Sequence, residues 1–159
     1  MLTIASWNVN GLRAVARKQA LAPFLDSGPA IVGLQEVRAA EDQLGELARP
    51  TGWSFSHVVA ATRPGYSGVA LYSKRPHRAR AGFGHAEFDA EGRYLEADFG
   101  DLAVISLYLP SGSSGPERQA SKFRFLEAFL PHLEALRRTG KEIVLCGDWN
   151  IAHRPIDLE

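Results

Sequence analysis

The chain has 159 residues, of which 45% are hydrophobic and 23% charged, and its 18 basic residues balance its 18 acidic ones. This composition is typical of one soluble domain with a sizeable core and excludes a disordered chain, while the zero net charge decides nothing about a nucleic-acid partner. An apolar run long enough to cross a membrane and a leader segment are both absent from the sequence, so we predict no membrane association and a cytoplasmic location. The single cysteine, Cys146, excludes a disulfide within the chain.

The first predicted elements are a strand over residues 2–8 and a helix over residues 12–25. Asn10 provides a cap for this helix, and the Gly-Pro pair at 28–29 ends it. Pro23 weakens the last turn of the helix because proline lacks a backbone N–H.

The middle of the chain is predicted to be mainly β-structure. An apolar strand over residues 30–34 is followed by a short helix over residues 40–48. Further strands are predicted near residues 53–61, 68–74, 92–99 and 101–109. The pair Gly100-Asp101 lies where a tight hairpin turn would join the last two.

The strongest helix signal begins at Pro116, a residue that suits the first helical position. An apolar stripe at helical spacing follows, formed by Phe125, Leu126, Phe129, Leu130, Leu133 and Leu136. Pro131 should bend the helix, and Gly140 should end it. A final strand over residues 142–146 completes a layered α/β arrangement, with a sheet covered on at least one face.

Polar residues with hard oxygen or hydroxyl groups follow four of the predicted strands. They are Asn8, Glu36, Tyr108, Asp148 and Asn150. Ligands of layered α/β folds bind outside the carboxyl ends of the strands. If these strands run side by side in the same direction, the five side chains converge.

The converging set has the chemistry of a metal-dependent phosphoesterase. Glu36 and Asp148 would supply anionic oxygen to Mg²⁺, which binds few protein ligands and keeps several waters. Asn8 and Asn150 would add neutral oxygens or hold a phosphate oxygen. Tyr108 would donate a hydrogen bond to charge on a phosphate, or neutralise it as a phenolate.

Each of these residues also has a purely structural interpretation. Asp148 and Asn150 are typical of an Asx turn that closes a strand. Glu36 is typical of a solvated loop, and Tyr108 before Pro110 is typical of a packed ring with its hydroxyl in water. Asn8 and its neighbour Asn10 would then only cap the first helix.

Six sequence blocks in order resemble the exonuclease III family of Mg²⁺-dependent exodeoxyribonucleases and AP endonucleases, within the endonuclease/exonuclease/phosphatase superfamily. The blocks are SWNVNGLRA (6–14), GLQEVRA (33–39), GYSGVALYSK (65–74), EGRYLEADFG (91–100), SLYLPSG (106–112) and GDWNIAH (147–153). The resemblance implies an α/β (α+β) chain that forms half of a four-layer α-β-β-α sandwich of the deoxyribonuclease I-like type, with a mixed sheet flanked by helices.

The resemblance also implies roles for individual residues. Metal-binding positions match Asn8, Glu36, Asp148 and Asn150, and catalytic positions match Tyr108, Asp148 and Asn150. Positions near the DNA backbone match Asn10, Arg13, Tyr66, Arg93 and Lys122. His153 lies in a matching block, but we assign it no role.

The activity that the resemblance implies is hydrolysis of DNA phosphodiesters in base excision repair. It implies Mg²⁺ as the cofactor, with Mn²⁺ as a substitute, and double-stranded DNA with abasic sites or 3′ ends as the partner, in the bacterial cytoplasm at the nucleoid. Two alternatives remain open: another phosphoesterase of the superfamily, of the sphingomyelinase or inositol-phosphatase type, and a non-catalytic RNA-associated regulator with the same fold.

Members of the family continue beyond the point that matches Glu159. We therefore expect residues 1–159 to be one domain that forms the N-terminal portion of a larger one and lacks its second sheet and its terminal active-site histidine. Cleavage by the chain alone should then be weak or absent. The strand face formed by Ala103, Ile105, Leu107 and Leu109 should be exposed and should favour self-association.

Overall fold

A computed structural model describes residues 1–112, 115–152 and 154–158, so His153 lies outside the described residues. The strands are β1 (Ile4–Asn8), β2 (Ile31–Gln35), β3 (His57–Val59), β4 (Val69–Ser73), β5 (Arg78–Ala81), β6 (Tyr94–Asp98), β7 (Leu102–Tyr108) and β8 (Glu142–Asp148). The helices are α1 (Leu12–Arg17), α2 (Leu21–Asp26), α3 (Ala86–Asp89) and α4 (Pro116–Arg138), with 3-10 turns at Glu41–Gln43, Gly45–Ala48 and Pro155–Leu158. None of the described helices is both long and apolar enough to cross a membrane.

The strands form two four-stranded sheets that pack face to face. One sheet has the order β1-β2-β4-β3 and the other the order β5-β6-β7-β8. The pairs β1–β2 and β7–β8 are parallel, and the other neighbours are antiparallel. Strand β2 contacts β7 across the sandwich, and β1 contacts β8. The carboxyl ends of these four strands therefore meet at the same end of the molecule.

Helices cover the outer face of each sheet, which gives four layers. The first sheet packs against α1 and α2 through Leu12, Val15, Leu21, Leu25, Val32, Leu34, Ala70 and Tyr72. The second sheet packs against α4 through Tyr94, Ile105, Leu107, Phe125, Phe129 and Leu136. Between the sheets lie Ile31, Val69, Leu71, Leu95, Ala97 and Val104. The predicted α-β-β-α arrangement is confirmed.

A buried polar contact joins the two sheets within this apolar interface. Gln35, which is 1% exposed, donates from Nε2 to the Ser106 hydroxyl at 2.9 Å and accepts from the Ser6 hydroxyl at 3.3 Å. The Ser106 hydroxyl donates to the carbonyl of Leu34 at 3.1 Å. Both ends of the Gln35 amide are therefore satisfied, as a buried amide requires. The contact fixes how β2 lies against β7.

The prediction that this chain lacks its second sheet, with an exposed face at Ala103, Ile105, Leu107 and Leu109, is wrong. All four residues are at most 1% exposed. Both sheets are built from residues 1–159, and α4 supplies the cover over β7 through Phe125 and Phe129. The self-association expected through this face therefore loses its structural basis.

The predicted helix over residues 12–25 is two short helices. Gln19 takes a left-handed conformation, with φ 58°, and separates α1 from α2. Pro23 then falls in the first turn of α2, where its missing N–H costs no hydrogen bond. The predicted cap at Asn10 is also wrong, because Gly11 holds the cap position and no side chain caps α1.

Other differences follow from weak local signals. The predicted helix over residues 40–48 is a pair of 3-10 turns. Strand β5 was missed because its residues Arg78–Ala81 are all exposed and alternate arginine with alanine, a small residue that is uncommon in strands. Helix α3 was missed because it has only four residues.

The predicted hairpin turn is confirmed, since Phe99 donates its N–H to the Leu102 carbonyl at 2.8 Å. Helix α4 includes Pro131 and continues to Arg138, so this proline does not end the helix, and the predicted bend stays a prediction.

We predict that Gly147→Ala weakens the pairing of β8 with β7. Gly147 has φ 152°, and a Cβ at this position would lie 1.9 Å from the carbonyl oxygen of Leu107. Relief of such a contact requires the backbone to shift, at a cost of about 1–3 kcal/mol. Urea unfolding measures the change in the free energy of unfolding. Gly140→Ala is the control, because Gly140 also has a positive φ but a Cβ there would meet nothing within 4 Å. Equal losses of stability in the two variants would contradict the contact.

We also predict that acid destabilises the packing of α4. His132 Nε2 lies 3.0 Å from the Tyr94 hydroxyl, which donates to Glu96 at 2.7 Å. Burial and the charge of Arg80 lower the pKa of His132 below 6.5, against opposing effects of Glu96 and Asp89. Since the unfolded chain then binds protons more readily, this contribution to stability is complete above about pH 6.5 and is lost as the pH falls.

Thermal unfolding followed between pH 7.5 and pH 5 checks this expectation. His132→Gln keeps a polar partner for Tyr94 but does not titrate, so its melting temperature should fall less on acidification. His57, whose pKa is also lowered by burial, keeps part of the pH dependence in both proteins. An identical pH dependence in the two proteins would contradict the assignment to His132.

Candidate active site

The five converging residues of the sequence prediction meet where the two sheets end. The amide nitrogen Nδ2 of Asn8 donates to Oε1 of Glu36 at 2.8 Å and to Oδ2 of Asp148 at 2.8 Å. Because Glu36 Oε1 and Asp148 Oδ2 each lie 2.8 Å from the same nitrogen, the distance between these two oxygens is at most twice 2.8 Å. Glu36 follows a strand of the first sheet, and Asp148 ends a strand of the second. The site thus spans the junction between the sheets.

The strand ends are also Asx turns, so the structural and functional interpretations of these residues hold together. Asp148 Oδ1 accepts the backbone N–H of Asn150 at 2.9 Å. Asn8 Oδ1 accepts the backbone N–H of Asn10 at 3.0 Å. Each turn uses one side-chain atom and leaves the other directed at the site. Asp148 is the last residue of β8, so Asn150 lies in the turn beyond the strand.

Strained backbone is concentrated here. Of the described residues, six other than glycine have a left-handed φ, and four of them lie at this site: Asn10 (44°), Glu36 (53°), Arg38 (54°) and Asn150 (49°). Such conformations cost about 1–3 kcal/mol each and persist only where the surroundings hold them. Neighbouring loops hold them here: the N–H of Gly11 donates to the Glu36 carbonyl at 2.7 Å, and that of Arg38 donates to the Ser67 carbonyl at 2.8 Å.

Glu36 is a half-buried carboxylate with several donors around it. Burial raises its pKa, but hydrogen bonds from Asn8 and Arg38, the charge of Arg38 and a hydrogen bond from Tyr108 together lower it below the usual value. Arg38 contacts the same carboxylate with Nε at 3.0 Å and also with Nη2. Glu36 is therefore anionic at neutral pH, as an oxygen ligand for a cation must be.

Tyr108 is a hydrogen-bond donor rather than a phenolate. Burial first, and then the charge of Glu36 and the hydrogen bond to it, raise the pKa of Tyr108 to about 12, although Arg93 opposes the rise. The hydroxyl therefore keeps its proton at neutral pH and directs it at Glu36. The structure favours the first of the two roles that the sequence left open.

The loop after β8 is held by hydrogen bonds to the backbone of Leu109 and to the side chain of Lys122. Asn150 donates from Nδ2 to the Leu109 carbonyl at 2.8 Å, which turns the amide oxygen away from that contact. Its own backbone carbonyl accepts a hydrogen bond from Lys122 Nζ. Lys122, matched by resemblance to a DNA contact, thus supports the loop in this structure.

The other residues matched to DNA contacts are divided between the surface and the interior. Asn10 and Arg13 are exposed beside the end of β1. Tyr66 is half-buried, and Arg93 is only 2% exposed. Arg93 donates to Glu91, to the Tyr66 hydroxyl and to the Tyr108 carbonyl. Its contact with DNA stays a prediction, and the structure shows a buried network in its place.

Sequence reasoning missed several residues that surround the site. Arg38 pairs with Glu36 two residues away, a contact that its position in the GLQEVRA block could have suggested. Gln35 was missed although it precedes Glu36, because a glutamine after a buried strand is usually interpreted as polar loop. Glu91 and Arg118 gave no signal, since their contacts to Tyr66 join segments far apart in the chain.

The donor set at the junction is sparse and consists of hard oxygens. Within the described part of the chain, no group of three or more His, Cys, Asp or Glu side chains lies close enough to hold a metal. Two carboxylates with amide neighbours do not suit Zn²⁺, which takes nitrogen and sulfur ligands. They do suit Mg²⁺, which is bound through one or two carboxylates and keeps water.

The chain is similar in sequence to known nucleases. The chain is 36% identical to an exodeoxyribonuclease of Bacillus subtilis (strain 168), over 99% of this chain and 62% of the relative. It is 38% identical to the DNA repair nuclease APEX1 of Danio rerio, over 99% of this chain and 52% of the relative. The chain thus spans about half to three fifths of the length of these relatives.

A solved structure gives the same result for the fold. The crystal structure of the Xenopus laevis APE2 catalytic domain superposes with a TM-score of 0.79 at 32% identity, over 96% of this chain and 59% of that one. Residues 5–159 match the Endonuclease/Exonuclease/phosphatase family. The resemblance found in the six sequence blocks is confirmed: the chain belongs to the Endonuclease/Exonuclease/phosphatase family.

Proposed function

We propose that the intact protein hydrolyses phosphodiester bonds of double-stranded DNA at abasic sites or 3′ ends, with Mg²⁺ as its cofactor and Mn²⁺ as a substitute. One observation carries the proposal: Asn8 holds the carboxylates of Glu36 and Asp148 together where the two sheets end. Relatives named as DNA repair nucleases and exodeoxyribonucleases support the choice of DNA as substrate. We place the reaction in the cytoplasm.

The cation would be held by Glu36 and Asp148. Two unit negative charges at this separation repel each other, and in this structure the Asn8 amide and the Arg38 guanidinium offset that repulsion. Bound there, a divalent cation polarises a phosphoryl oxygen and offsets the charge that develops on it. Asn8 and Asn150 would add amide groups beside it.

The side chains of the chain itself then position the reacting groups. Asp148 accepts hydrogen bonds at both oxygens, from Asn8 and from the backbone of Asn150, so its carboxylate cannot rotate freely. A carboxylate fixed in this way orients a water molecule and accepts its proton as it attacks. Tyr108 keeps its proton and would donate it in a hydrogen bond to a phosphate oxygen.

DNA would approach over residues that lie next to these strand ends. Asn10, between β1 and α1, and Arg13, in the first turn of α1, are exposed, whereas Tyr66, before β4, and Lys122, in α4, are half-buried. The chain has no net charge, so the attraction of DNA would come from these local groups and from the cation rather than from the whole surface.

We predict that Asp148→Asn lowers the rate of incision of an abasic-site duplex by at least about 10²-fold, because the amide cannot accept the proton of the attacking water. The assay uses the intact protein with Mg²⁺ and a duplex that carries a tetrahydrofuran abasic analogue. Asp101→Asn, in the exposed turn between β6 and β7, is the matched control and should cleave at the original rate. An unchanged rate in Asp148→Asn would remove Asp148 from the mechanism.

The same assay decides between this proposal and its alternatives. A phospholipid or an inositol phosphate, offered to the same preparation, should be hydrolysed far more slowly than the abasic duplex. If either were preferred, the substrate class would be wrong. If the intact protein with Mg²⁺ cleaved none of these substrates but bound RNA, a non-catalytic regulator would be the better description.

We predict that Glu36→Gln lowers Mn²⁺ affinity by at least about tenfold, because it removes one of the two charges that bind the cation. The free Mn²⁺ signal in electron paramagnetic resonance measures binding without any need for DNA or turnover. The matched control is Glu87→Gln, whose carboxylate pairs with Arg124 at 2.7 Å on another part of the molecule. Equal affinities in the two variants would contradict the assignment of the cation to Glu36.

A further inference from the structure

Arg93 is a buried cation that connects three segments of the candidate site. Its side chain is 2% exposed, and it directly precedes β6. Its Nε donates to Glu91 at 2.5 Å, its Nη1 to the Tyr108 carbonyl at 3.0 Å and its Nη2 to the Tyr66 hydroxyl at 2.8 Å. Each of the three guanidinium nitrogens therefore has a partner within the protein.

Burial of an unpaired guanidinium would be very costly, and the pairing with Glu91 offsets that cost only if the geometry is well formed. A surface arginine would bind a phosphate without this expense. The Arg93 guanidinium is therefore buried at a position where an apolar side chain would have a lower desolvation cost. The groups that Arg93 contacts indicate its role.

Tyr108 is held by Arg93 through both of its backbone polar groups. Its N–H donates to the Arg93 carbonyl at 2.9 Å, and its own carbonyl accepts from the Arg93 side chain. The guanidinium carbon also lies 5.0 Å from the centre of the Tyr108 ring, within the range of a cation–π contact. The hydroxyl at the far end of the ring is the part of Tyr108 that is bound to Glu36.

Through Tyr66, Arg93 is also connected by hydrogen bonds to the backbone next to Glu36. The Tyr66 hydroxyl accepts from Arg93 and, at 2.9 Å, from Arg118 of α4. The next two residues of that loop accept, through the carbonyls of Ser67 and Gly68, the N–H groups of Arg38 and Val37 at 2.8 and 3.0 Å. Those N–H groups directly follow Glu36, whose backbone is in the left-handed conformation.

We propose that Arg93 is a positioning residue for the reaction: from the interior, it fixes the Tyr108 ring and the Tyr66 loop relative to the Glu36 carboxylate, and it does not contact the DNA phosphate. The proposal rests on the proposed function for its kinetic consequences, and on the structure alone for the placement of Tyr108.

The test uses Arg93→Met, which keeps much of the buried volume and removes the charge and the donors. With tyrosine rings labelled with ¹³C, the Tyr108 signal in NMR, assigned with Tyr108→Phe, should shift or broaden without DNA or metal. In the abasic-duplex assay, kcat should fall by at least about tenfold while KM stays within about twofold, because a misplaced reacting group slows the chemical step without weakening substrate binding.

The salt dependence of DNA binding separates positioning from phosphate contact. If Arg93 bound a phosphate, its removal would reduce the slope of log K against log[salt] by about one. We expect the slope in Arg93→Met to equal that of the original protein. A reduced slope together with an unchanged Tyr108 signal would overturn the proposal.

Two further variants keep the test decisive. Arg118→Met removes the other guanidinium from the Tyr66 hydroxyl, and because Arg118 contacts Tyr66 and Glu91 rather than the Tyr108 backbone, the Tyr108 signal should remain in place. If Arg93→Met does not fold, Arg93→Lys keeps the charge but replaces the planar fork by one ammonium group. A Tyr108 signal and kcat identical to the original in Arg93→Lys would overturn the proposal.

Failure of the proposed function would be distinguishable from failure of this inference. A protein that neither binds nor cleaves the abasic duplex would refute the substrate, while the Tyr108 signal of the metal-free and DNA-free protein would still report whether Arg93 positions that ring.

Discussion

The hydrogen bonds from the Asn8 amide to two carboxylates are the constraint on which the site depends. Glu36 and Asp148 belong to different sheets, so the distance between them is set by how one sheet lies on the other rather than by any single strand. The buried contact of Gln35 with Ser106 lies directly beneath this junction and fixes the same relation. The geometry of the site therefore depends on how the two sheets pack, because a shift of either sheet relative to the other would separate the Glu36 and Asp148 carboxylates.

Much of the site was predictable because each of its residues lies at or just after the end of an apolar strand, which is a local signal in the sequence. The strand ends at Asn8, Glu36, Tyr108 and Asp148 could be inferred from the sequence once their strands were assigned. The sequence left open whether these strands share a direction and whether they belong to one sheet. The structure shows two parallel pairs in two different sheets, a relation that depends on tertiary packing and leaves no periodic signal.

The errors of the sequence interpretation have the same physical origin. Residues such as Ile105 and Leu107 were expected to need a partner sheet from elsewhere, but the strand faces are covered by α4 on one side and by β2 and β4 on the other. Arg93 was matched to a DNA-backbone contact by resemblance alone, and that match did not indicate that its side chain is buried. Its burial follows from three partners that lie 2, 15 and 27 residues away, two of which no local pattern reveals.

The left-handed backbone at Asn10, Glu36, Arg38 and Asn150 limits how this protein could be made more robust. At an ordinary strained position, replacement by glycine relieves the cost and stabilises the fold. Here the side chains at these positions provide the carboxylate, its counter-charge and the neighbouring amides, so glycine would remove the chemistry together with the strain. Consensus or thermostability engineering would therefore have to gain its improvements in the helical layers, far from the strand ends, and leave this costly corner as it is.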